Sequence, residues 1–95
     1  MTDDQVTRIF DAVQQVTGID RATIESAAKR RDVFFARMIV AHHLRGLGLT
    51  YSQIGEALGG RSHATVIHQQ RGYYDEQTPV FRRDAEEVRE ILSKN

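Results

Sequence analysis

The adjacent pair Gly59-Gly60 constrains this chain more than any other feature of its sequence. It separates two short amphipathic segments, and each opens with a helix-starting signal. Thr50 with Gln53 makes a capping-box pattern ahead of Ile54 and Leu58. Ser62 stands where it can cap the second segment, whose inner face carries Val66 and Ile67. Two glycines between capped helices allow a tight turn that residues with a Cβ resist. Residues 51–58 and 62–75 therefore read as a helix-turn-helix. An ordinary helical hairpin has the same spacing, so spacing alone leaves that alternative open.

The remainder also reads as helix. There is one proline, and no alternating run marks a strand. Thr2 with Gln5 forms another capping-box pattern, followed by Val6, Ile9, Val13 and Val16 at helical spacing and Gly18 as a stop. Asp20 can cap a short helix running through Ile24 and Ala28. The basic segment Lys29-Arg30-Arg31 follows as a loop, and Asp32 caps a longer helix with Val33, Phe34, Met38, Ala41 and Leu44, stopped at Gly46 and Gly48. Thr78-Pro79 opens a last helix whose apolar face is Phe81, Ala85, Val88 and Leu92. The predicted fold is all-α: one domain over residues 1–95, a compact bundle of about six helices containing the helix-turn-helix.

Charge narrows the function. The 13 basic and 13 acidic residues cancel, but unevenly along the chain. Residues 1–28 carry two arginines against five acids, net −3; residues 29–71 carry seven bases against two acids, net +5; residues 72–95 carry four against six, net −2. A basic middle between acidic ends suits a phosphate-facing surface. Zero cysteines exclude disulfides and thiolate metal sites. No apolar run is long enough for a membrane helix, and the start Met1-Thr2-Asp3-Asp4 is unlike a secretory signal, so a cytoplasmic location is expected with no membrane partner.

The histidines do not make a metal site. His42 and His43 are adjacent, and His63 and His68 are five apart, so neither pair shares a helix face. His68 reads as a half-buried tie between helix and scaffold. Of Tyr73 and Tyr74, one ring reads as core. Arg82-Arg83 reads as an ion-paired surface, and Asp84, Glu86, Glu87 and Glu90 as a solvated face without nucleophile or pocket. No enzyme activity and no cofactor are expected.

The segment Ile54-Gly55-Glu56-Ala57-Leu58-Gly59-Gly60-Arg61-Ser62-His63-Ala64-Thr65-Val66-Ile67-His68 resembles the signature of the C-terminal, origin-box-binding domain of the bacterial replication initiator DnaA. That signature has the form I-G-x-x-F-G-G-R-D-H-T-T-V-L-H. Lys29-Arg30-Arg31 resembles the family's basic loop, and the likeness runs over roughly residues 5 to 92. The resemblance implies a Trp-repressor-like helical fold that binds double-stranded DNA in replication initiation or its regulation; because no heptad seam or spare apolar face is visible, a monomer on a short asymmetric site is expected. It implies that Ser62, His63, Ala64 and Thr65 face the major groove. Arg31, flanked by Lys29 and Arg30, takes the minor groove. Arg37, Arg45 and Arg61 meet phosphates, and Thr50 belongs to the same DNA-facing set.

The sequence departs from the family at informative positions. Ser62 replaces an aspartate and Ala64 a threonine, so base reading should differ. Ala36 replaces a proline, Phe34-Phe35 stands where the family is more polar, and the loop before Thr50 is about one residue shorter. No G-x-x-x-x-G-K-[ST] occurs, so this chain holds no ATP-binding module of that kind. The acidic opening helix fits a stand-alone relative, and an excised domain is the other reading. Alternative functions are a phage- or plasmid-type transcriptional regulator, or a protein-interaction module that has lost DNA affinity and docks through Phe34-Phe35.

Overall fold

A computed structural model describes residues 3–94. They form α1 (Asp3–Thr17), α2 (Arg21–Glu25), α3 (Arg31–Gly46), α4 (Tyr51–Ala57), α5 (His63–Asp75) and α6 (Pro79–Ser93). The all-α expectation holds, with no strand among the described residues. The Thr2–Gln5 capping box lies outside them because Thr2 does.

Helix α3 is the central element. Ala36 and Met38 through Ala41 are all buried, so it is apolar on nearly every side rather than along one stripe. Each of the other five helices packs against it. Helix α1 contributes Ile9, Phe10 and Val13 to this core, and α6 contributes Phe81, Ala85 and Val88. Helix α5 approaches α3 closely at Gly72, where a Cβ would lie 2.6 Å from the Met38 sulfur.

Local boundaries follow capping chemistry, with three differences from the sequence expectation. Asp20 caps α2 as expected, its carboxylate accepting from the Thr23 amide at 2.9 Å. The helix then stops at Glu25, short of Ala28, because the Ser26 amide and hydroxyl both turn back to the Thr23 carbonyl. Helix α3 starts at Arg31, with Arg30 rather than Asp32 at the cap position. Asp32 instead lies inside the first turn, accepting from the Val33 amide and from Arg30 Nε. Thr78 occupies the cap of α6 without a capping bond, since its hydroxyl donates to the Glu76 carboxylate.

The helix-turn-helix forms as its caps predict. Thr50 and Gln53 complete both halves of the capping box on α4. Gly59 and Gly60 have φ of 92° and 91°, in the left-handed region that favours glycine. Ser62 Oγ accepts from the Thr65 amide and opens α5.

Candidate nucleic-acid interface

The first turn of α5 projects from this frame. Ser62, His63, Ala64 and Thr65 are all exposed, while Val66, one residue on, is fully buried. The Ser62 and Thr65 hydroxyls lie 2.9 Å apart and hydrogen-bond each other, which fixes both rotamers. His63 meets the ring of Tyr51 edge to face at 5.1 Å. Tyr51 in turn carries the Arg45 guanidinium over its face at 4.5 Å, and Arg45 donates to the Leu49 carbonyl. This stack ties the end of α3 and the start of α4 to the start of α5. Tyr51 did not figure among the sequence candidates; its place directly after the Thr50 cap was the available signal.

Helical geometry extends the exposed surface along α5. His68 and Arg71 are exposed, and they follow Ala64 at i+4 and i+7, which is one face of a helix. His68, expected half-buried, therefore points outward. Gln69 takes the inward place at 2% exposure, because it lies three residues after buried Val66 and four before buried Tyr73. Tyr73 is core and Tyr74 is 66% exposed, as expected of that pair.

The basic candidates divide into two groups. Lys29 is exposed and has no partner among the described residues. Arg30 is exposed beside Asp32, at 3.1 Å. Arg31 is exposed but leans toward the α5–α6 junction, donating to Thr78 Oγ1 at 3.0 Å and lying over Phe35. Arg37 and Arg61 are of another kind. Arg37 is 5% exposed, and its guanidinium donates to the carbonyls of Ile24, Ala28 and Ser26. The phosphate contact expected of Arg37 gives way to a structural placement: α3 is buried all round, so an arginine in its middle must satisfy itself internally. Burial, then the charge of Arg61, holds the Arg37 pKa below its ordinary value. Arg61 is half-buried and donates to the Leu58 and Ser26 carbonyls. Thr50 is exposed, with its hydroxyl occupied in the α4 cap.

An open groove of about 570 Å³ separates the basic loop from the turn and includes Lys29, Phe34, Gly60 and Thr65 in its walls. Loop and recognition turn thus form adjacent rims of one surface. No cluster of three metal-ligating side chains occurs among the described residues. No helix there is long and apolar enough to cross a membrane.

A family model described as the bacterial dnaA protein helix-turn-helix matches residues 6–72. That span includes most of α1, all of α2 through α4 and most of α5, and leaves out α6. Among curated relatives, the chromosomal replication initiator protein DnaA of Herpetosiphon aurantiacus is 41% identical over 61 residues, covering 63% of this chain and 13% of that protein. The same protein of Thermomicrobium roseum is 38% identical over 61 residues, with the same coverage. The Porphyromonas gingivalis protein is 30% identical over 88 residues, covering 90% of this chain and 19% of that protein. The chain therefore spans less than a fifth of the length of these relatives. No solved structure matches it.

Proposed function

This chain belongs to the bacterial DnaA helix-turn-helix family, and from that premise we propose that it binds double-stranded DNA sequence-specifically, in replication initiation or its regulation. The first turn of α5 enters the major groove, where short side chains approach base edges. The rim formed by Lys29, Arg30 and Arg31 faces the adjacent minor groove, and Arg45 and Arg71 supply phosphate contacts. The chain acts as a monomeric binder without chemistry of its own.

The observation that carries this reading is the exposure of Ser62, His63, Ala64 and Thr65 together on a turn whose two hydroxyls hold each other. The docking alternative finds less support. Phe34 and Phe35 are half-buried, and Phe35 packs on the core ring of Phe81 at 5.0 Å.

Selection from a random duplex library tests the proposal. The expected result is one short asymmetric motif whose affinity falls steeply with salt, because each neutralised phosphate releases counterions. Arg31→Ala should weaken binding to that motif by about 1–3 kcal/mol. Failure to enrich any motif, with salt-insensitive binding, refutes the reading. Two chains sedimenting on a two-fold symmetric site refute the monomer.

A further inference from the structure

The basic loop and the recognition turn are separate in sequence, yet the structure joins them through one carbonyl. Ser26 O accepts from Arg37 Nη2 at 2.7 Å and from Arg61 Nη2 at 2.6 Å. Arg37 comes from the central helix and also grips the carbonyls of Ile24 and Ala28, so it holds alternate peptide groups leading into the loop. Arg61 comes from the turn and precedes Ser62, the cap of the recognition helix. Its other amino group holds the Leu58 carbonyl at the end of α4. A third contact is independent of both arginines. Gly59 lies so close to the loop that a Cβ there would sit 2.0 Å from the Glu25 carbonyl oxygen.

We propose that Arg61, acting with Arg37, is a positioning residue that clamps residues 26–30 to the recognition turn and so fixes the spacing between the two DNA-reading elements. The inference rests on the DNA-binding reading above. A loop held only at its ends would sample many distances from α5, and each register would fit a duplex differently. Two guanidinium groups sharing one acceptor with a glycine contact beside them remove that freedom before DNA arrives. A phosphate contact requires none of this arrangement. It needs an exposed cation, which Lys29 already supplies on the same rim.

The clamp and a phosphate contact predict different behaviour for Arg61→Lys. The substitution keeps the charge but removes the planar fork that reaches two carbonyls at once. With the library-selected duplex and a scrambled duplex as probes, Arg61→Lys should lower affinity for the selected site about tenfold, comparable to losing one base contact. Affinity for the scrambled duplex and the salt slope should stay as in the parent. In the free protein, amide exchange at Ser26 and Ala28, whose N–H groups are bonded to the Thr23 carbonyl and to Ser26 Oγ, should quicken, while helical circular dichroism is unchanged. Arg61→Gln should quicken the same amides, and serves if the lysine variant loses its fold. The proposal is overturned if Arg61→Lys binds both duplexes as the parent does. It is equally overturned if Arg61→Gln weakens both alike while the slope falls by about 0.9, the signature of one lost phosphate contact. Unchanged loop exchange in both variants overturns the clamp directly. If the parent selects no duplex, the DNA-binding reading has failed. The exchange measurement on the free protein then separately reports whether the clamp exists.

Discussion

Replacing Arg37 by methionine isolates what its guanidinium contributes, because methionine keeps an unbranched stem of similar reach. The Ile24 carbonyl would lose a fully buried bond, and an unsatisfied buried acceptor costs about 1–3 kcal/mol. The Ala28 carbonyl is only part-buried, so water can replace its partner, and the loss is about 0.5–1.5 kcal/mol. Ser26 keeps its bond from Arg61 and adds little. Against this, the variant no longer buries a charge, and such replacements recover about 1 kcal/mol or more. The net expectation is a loss of about 2 kcal/mol. For a domain of this size that lowers the unfolding midpoint by about 8–16 °C. Thermal unfolding followed by circular dichroism, with urea unfolding as a check, measures it. A midpoint within about 3 °C of the parent would mean that the three carbonyls do not depend on Arg37. The structural placement of this residue would then be wrong.

Ser62→Asp combined with Ala64→Thr restores the family's residues in the reading turn. It should shift preference toward the initiator box by about 1–3 kcal/mol per contact regained, with the salt slope unchanged, in a competition between box and scrambled duplex. Equal box preference in the parent would refute that role for these positions. Gly59→Ala should destabilise by more than about 2 kcal/mol, since a left-handed φ and a backbone clash combine, whereas Gly60→Ala, with open space around it, should lose only about 1–2 kcal/mol from its φ. Denaturant midpoints separate the two. Stability should also fall as pH drops. Burial, helped by neighbouring His42, pushes the His43 pKa down to about 4, below the unfolded value of about 6.5. From about pH 6.5 down to about 4 the unfolded chain therefore binds a proton that the folded one refuses, and up to about 2–3 kcal/mol is lost across that window. Urea midpoints between about pH 7 and 5 report it above most carboxylate titration, and His43→Leu should flatten the dependence.

The fold was legible where a local rule has one outcome. Capping at Asp20, Thr50 and Ser62 and the double glycine set the helix boundaries without help from distant residues. The exposed reading turn was legible for the same reason. Interior polar placements were not, because they depend on what packs across them. Arg37 sits between Ala36 and Met38 in a stretch buried on every side, and that flanking was its only local signal. The inward place expected of His68 falls to Gln69, because both are polar and only the spacing from Val66 separates them. Arg61 matched a family motif, yet its bond to Ser26 spans 35 positions and leaves no periodic trace.

The central position of α3 has a consequence for the thermodynamics of association. Every other helix leans on it, so the helices that carry the DNA-facing residues are anchored to the core before any ligand arrives. Ordering entropy is thereby settled during folding, and little of it remains to be lost in a complex. Binding to a rigid duplex should then show the heat-capacity change of its buried contact area alone, without the larger signature of coupled folding.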